Sequence, residues 1–260
     1  MAEFFGFGGY SRQPEGYFSP AHLLFVSSLM VVMVFLAVFL GLRYKKRDEK
    51  AQSKVLLIAA IAMDSLELFK IVLLCFRNEN PLDWLHNLPL FLCSIQLITL
   101  PIAALSKGKL KEITLDFLFV FGLLGAVLGT YFAGNNYGAY PVFSFDNVVS
   151  GLTHSIAGFG SLYVGITGMA KLKWENFPWC CLTMAVFCLL AYIADVTIPY
   201  NYMFLMRGDG TPYDILFHLL GGNPILYPVL VVVLFFVYIG AFYGIYRLVL
   251  KLKNQKKAVE

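Results

Sequence analysis

Apolar runs alternate with short polar stretches along almost the whole chain. A helix needs about 20 mainly apolar residues to cross the hydrocarbon core of a bilayer. Runs of that length fall at 21–42, 54–76, 87–105, 113–132, 146–170, 178–198 and 224–249. They predict an all-α polytopic membrane protein with seven transmembrane helices. One seven-helix domain would occupy 21–249, between an aromatic and Gly-rich segment at 1–20 and a basic tail at 250–260. The pattern shows no internal repeat, no linker long enough to divide the chain, and no run plainly broken at mid-depth.

Composition strengthens this reading. Of 260 residues, 59% are hydrophobic and only 14% charged. A soluble domain carries about 45–50% apolar and about 25% charged residues. The positive charge is unevenly placed. Arg43, Lys45, Lys46, Arg47, Lys50 and Lys54 follow the first run, Lys107, Lys109 and Lys111 the third, and Lys171 and Lys173 the fifth. Arg247, Lys251, Lys253, Lys256 and Lys257 follow the seventh, whereas the alternate segments hold only Arg12, Arg77 and Arg207. Cytoplasmic loops collect Lys and Arg. The asymmetry therefore predicts an outer N-terminus, a cytoplasmic C-terminus and a multi-pass protein of the cell membrane. It also accounts for the net charge of +4 without a nucleic-acid partner, leaving membrane lipids as the expected contacts. The five cysteines form no CxxC pair, so neither a disulfide framework nor a metal site is expected, and no cofactor motif appears. The N-terminal twenty residues do not read as a signal peptide, because Pro and Gly interrupt them and no basic stretch leads into an apolar core.

Polar groups within spans are costly and mark candidate sites. The second span holds Asp64, Glu67 and Lys70, the third Cys93, Ser94 and Gln96, the fifth His154 and the sixth Asp195. Asp64, Glu67 and Lys70 lie three apart on one broad helix face, where Glu67 and Lys70 can pair. Such a pair can simply fix helix packing. Counted from the span ends, Lys70, Cys93, His154 and Asp195 fall within roughly 5–12 Å of the outer boundary. A thiol beside an imidazole is the pairing that nucleophilic acyl transfer needs, with a carboxylate such as Asp195 or Glu67 to orient the ring. A lone intramembrane cysteine is also a common packing residue. Ser94 is expected to bond back to its own helix and Gln96 to bridge helices. The segment "RGDGTP" at 207–212 reads as a tight turn.

Several stretches together resemble a known family. "YFSPAHL" before the first span, "LPLFLC" opening the third, His154 in the fifth, and "NYMFL" followed by "GGNPILYPVL" resemble the bacterial YwaF-like integral membrane proteins. That family is similar to the eukaryotic transmembrane protein 164 group of lipid acyltransferases, in which an intramembrane Cys and His are held to carry the acyl transfer. The resemblance implies the same roles for Cys93 and His154, and supporting or binding roles for Asn201 and Tyr202 within "NYMFL". The third span departs from both patterns. Phe91 stands where the bacterial pattern has His, and the eukaryotic Cys would fall at Leu90, one helical turn before Cys93.

The expected function is lipid acyl transfer in an outer-half polar pocket. Cys93 would be the nucleophile, His154 the base and Asp195 the orienting carboxylate, with Glu67, Lys70, Gln96, Asn201 and Tyr202 in support. Two alternatives remain. The ionisable residues could relay ions in a transporter, or the protein could bind lipid without catalysis, as a receptor-like seven-helix protein.

Overall fold

The computed structural model describes residues 3–259, with side chains through 255. Met1, Ala2 and the side chains of Lys256 and Lys257 lie outside the described residues. The chain divides into two compact units, Met1–Ala170 and Lys171–Glu260.

The first unit contains α1 (Pro20–Tyr44), α2 (Glu49–Arg77), α3 (Gln96–Leu105), α4 (Gly108–Tyr131), the short α5 (Gly134–Ala139) and α6 (Phe145–Thr167). Helix α1 starts where Ser19 accepts from His22 N and Pro20 occupies the first turn. Both are strong start signals, since Pro has no N–H to leave unpaired there. It buries only a stripe, His22, Val26, Met33, Ala37 and Gly41, and exposes Val31, Phe35, Phe39 and Leu42. That pattern suits a helix facing protein on one side and lipid on the other. Helix α6 is the opposite, with most of its residues buried, including the polar Asn147, Ser150, Thr153, Ser155 and Ser161.

Helices α4 and α6 approach closely because small residues line their contact. A Cβ added to Gly122 would sit 2.7 Å from Ala157 O. Ser161 Oγ donates to Phe119 O across the pair at 2.8 Å. Small side chains and cross-helix hydroxyl bonds are the usual glue of intramembrane helices.

The segment before α1 is tied down. Arg77 grips Asp146 through two bonds, Nη1–Oδ2 at 2.6 Å and Nη2–Oδ1 at 2.9 Å. Tyr10 OH donates to the same carboxylate at 2.5 Å. Burial and that bond to Asp146 push the Tyr10 hydroxyl above its ordinary pKa.

The second unit contains α7 (Phe177–Thr197), α8 (Tyr213–Leu219) and α9 (Leu226–Val259). Helices α7 and α9 pack through Cys180, Met184, Cys188, Phe235 and Tyr243, with Cys180 Sγ 3.3 Å from Tyr243 OH. Helix α9 runs beyond the expected end of the seventh span and takes in the tail to Val259.

Among the described residues, four helical stretches are long and apolar enough to cross a membrane: Pro20–Tyr44, Gly108–Ala139, Trp174–Thr197 and Leu226–Gln255. The other three expected spans fall short for identifiable reasons. Helix α2 carries Asp64, Glu67 and Lys70, α6 is rich in polar residues, and α3 has only 10 residues. The run at 87–105 looks unbroken in sequence, yet it is helical only from Gln96 onward. A short 3-10 turn, Asp83–Asn87, leads into an irregular stretch that takes the place of its first half.

Candidate functional site

The irregular stretch begins at Pro89. A residue before proline is pushed out of the helical region, and Leu88 is accordingly extended, with ψ 147°. Ser94 then occupies both backbone groups of Phe91: its Oγ accepts from Phe91 N at 2.9 Å and donates to Phe91 O at 3.2 Å. Such local bonding competes with helix. Ile95 N closes the turn onto Phe91 O at 3.0 Å. Ser94 therefore bonds locally, as expected, but it holds a turn and not a helix. Cys93 rides on that turn, just ahead of α3.

His154 comes to Cys93 from α6, near enough for the thiol and imidazole to act on each other electrostatically. Each keeps some accessible surface. Nδ1 of His154 lies 2.6 Å from Ser150 O, one helical turn back. A carbonyl only accepts, so Nδ1 carries the ring proton and Nε2 is the nitrogen left to face the thiol. Helix α4 supplies the floor. A Cβ on Gly125 would lie 3.2 Å from Cys93 Cα, and one on Gly129 would overlap the His154 ring. Residues four apart share a helix face, so these two glycines seat the two side chains next to each other.

Helix α2 adds the ion pair. Lys70 Nζ is 2.5 Å from Glu67 Oε1, and both side chains are largely buried. Glu67 acts electrostatically on Cys93, and Lys70 on His154. Gln96, the first residue of α3, is fully buried. Its Oε1 accepts from Thr99 Oγ1 at 2.6 Å. The helix-bridging role expected of it is not seen at that oxygen, because Thr99 lies on its own helix one turn on. Its Nε2 has no hydrogen-bond partner.

Asp195, Asn201 and Tyr202 belong to the second unit and meet there. Asp195 Oδ1 accepts from Tyr202 N at 2.7 Å, while its Oδ2 has no partner. Asn201 spends its whole amide on the loop: Nδ2 donates to Arg207 O and Asp209 Oδ2, both at 2.8 Å, and Oδ1 accepts from Met206 N at 2.9 Å. Met203 and Phe204 have φ of 52° and 58°, a left-handed backbone that is strained for bulky residues. Tyr227 OH holds that kink by donating to Phe204 O at 2.8 Å. The Arg207–Asp209 pair closes within the same loop at 2.5 Å.

The structure thus brings Cys93, His154, Glu67, Lys70 and Gln96 into one unit, and joins Asp195, Asn201 and Tyr202 in the other. Three contributors escaped the sequence reading: Gly125, Gly129 and the carbonyl of Ser150. The glycines left a signal in their four-residue spacing. The carbonyl left none, since any residue at that position would supply one.

No curated protein and no solved structure matches the chain. The model of the TMEM164 family matches residues 17–243, a stretch that includes the Cys93 turn, His154 and the Asn201 loop, and the chain belongs to that family of membrane proteins.

Proposed function

We propose that the protein is a lipid acyltransferase that crosses the cell membrane seven times, with its N-terminus outside and its C-terminus in the cytoplasm. The observation that carries the reading is the seating of Cys93 and His154 on Gly125 and Gly129 of one helix face, with Nδ1 already committed to Ser150 O. In the first half-reaction Nε2 takes the thiol proton and Sγ attacks the ester carbonyl of a donor lipid. The C–S bond forms, the C–O bond breaks, and Nε2–H protonates the departing lipid hydroxyl. In the second half-reaction Nε2 takes a proton from the hydroxyl of an acceptor lipid. That oxygen attacks the thioester, and the thiolate leaves and recovers the proton.

We give the orienting role to Ser150 O, the group bound to Nδ1. Asp195, Asn201 and Tyr202 support the shape of the second unit's loop, and Glu67 with Lys70 sets the charge around the pair. The non-helical stretch before α3 is tolerable at membrane depth because it is enclosed by protein. The same stretch and the Glu67–Lys70 pair also favour a second reading, ion-coupled transport, since transporters build sites at unwound segments.

The test is lipid analysis of membranes from cells expressing the wild type, Cys93→Ser or His154→Ala at matched levels. Acyl composition should shift with the wild type and with neither variant. No difference among the three would remove acyl transfer and leave transport to be tested, by uptake into liposomes with Glu67→Gln.

A further inference from the structure

Acyl transfer develops negative charge on the former carbonyl oxygen, and that charge needs hydrogen-bond donors already in place. The acyl-transfer reading names a nucleophile and a base but no such donor.

Gln96 has the features of one. It is fully buried, and its Nε2 has no acceptor. A buried polar group without a partner is destabilising, and an amide donor in a close-packed interior calls for an explanation. The side chain is not free to search for one, because Thr99 Oγ1 holds Oε1 at 2.6 Å. With Oε1 on that hydroxyl, the N–H end of the amide is the one left over. Gln96 also shares a turn with Cys93, with Gln96 N bonded to Cys93 O at 3.3 Å. Residues three apart share a face, so the Gln96 and Cys93 side chains stand on the same side of that turn.

The dipole of α3 points the same way, because its positive end lies at the turn that carries Cys93. The first N–H groups of α3 are spent on carbonyls of that turn, Gln96 N on Cys93 O, Leu97 N on Ser94 O and Ile98 N on Ile95 O. The orphaned amide N–H of Gln96 is therefore the donor with capacity to spare beside Cys93.

We propose that Gln96 Nε2, at the positive end of the α3 dipole, binds the oxyanion formed when Cys93 attacks an ester carbonyl. As Sγ bonds to the carbonyl carbon, the π pair moves onto oxygen and Nε2–H of Gln96 donates to it. When the carbonyl re-forms, the bond to the lipid oxygen breaks and His154 returns the proton to that oxygen. The inference rests on the acyl-transfer reading and adds the group that stabilises its intermediate.

Gln96→Met keeps the length and shape of the side chain and removes the donor. The experiment uses the full chain in lipid vesicles and follows Cys93 by mass spectrometry. One probe is 4-nitrophenyl decanoate, whose attack passes through an oxyanion. The other is N-ethylmaleimide, which alkylates the thiol without forming an ester-derived oxyanion. Gln96→Met should slow acylation by roughly 10²–10³-fold and leave alkylation unchanged. Its melting temperature should hold, because removing the unsatisfied N–H offsets the loss of the bond from Thr99 Oγ1. Acylation that survives the substitution overturns the inference alone. Acylation and alkylation falling together, or a lowered melting temperature, mark a packing role and overturn it too. An ester that fails to acylate Cys93 even in the wild type removes the acyl-transfer reading, and this inference with it.

Discussion

Cys93 and Asn201 both sit in turns at the ends of apolar runs, and both turns depart from helix. Their polar groups are used in opposite ways. Asn201 gives every donor and acceptor of its amide to its own loop, at 2.8–2.9 Å. Around Cys93, Ser94 and the backbone bonds of the turn hold its shape, while the thiol and imidazole lie side by side and Gln96 Nε2 faces no acceptor. The first arrangement holds backbone in a shape it would not otherwise keep. The second leaves hydrogen-bonding capacity unspent. Where a buried polar group sends its bonds separates a brace from a site better than its residue type does.

The sharpest way to break that comparison is Asn201→Ala. It removes three hydrogen bonds from a backbone that already carries two strained residues, and should cost roughly 3 kcal/mol, read as a lowered melting temperature. If acyl transfer collapses while the melting temperature holds, the loop is no mere brace. Next comes Gly129→Ala. The added methyl displaces the His154 ring, and displacements of about 1 Å at a reacting group cost roughly 10²-fold in rate. Transfer should fall by that much, with His154 still able to bond Ser150 O. Unchanged transfer would mean that α4 does not seat the ring.

The smallest effect is expected outside both turns. Lys111 Nζ lies 2.6 Å from Glu49 Oε1, and that bond draws the Glu49 carboxyl below its ordinary pKa. A depressed carboxyl stabilises the fold above its unfolded pKa, near 4.5, and the contribution is lost as pH falls through the lower folded value. Glu49 is well exposed, so Glu49→Gln should change stability at neutral pH by less than about 0.5 kcal/mol. The difference from wild type should vanish on acidification. A difference as large as that of Asn201→Ala would show that exposure is a poor guide here.

Much of this was legible in the residues themselves. The long runs of α1, α4, α7 and α9 are predominantly apolar, and run length locates such helices well. The Glu67–Lys70 pair followed from spacing alone, because three residues along a helix is a fixed distance. The broken run at 87–105 was not legible. Leu, Phe, Cys, Ile and Pro are equally at home in an apolar helix and in a buried turn, and what decides between them is Ser94 Oγ taking both backbone groups of Phe91. A carboxylate was expected to orient His154, because side chains are what a sequence displays. The acceptor turned out to be a main-chain carbonyl, which every residue carries and no motif records.

The bond from His154 Nδ1 to Ser150 O has a kinetic consequence. With one ring nitrogen tethered and Gly129 pressed against the other edge, the imidazole cannot turn over between half-reactions. Every proton must pass through Nε2 on the Cys93 side. If the pair carries acyl transfer, donor and acceptor lipids take turns in one place, and each excludes the other. Double-reciprocal initial-rate plots at several fixed acceptor levels would then run parallel, and an excess of either lipid would slow the cycle by holding the protein in the form that the other requires.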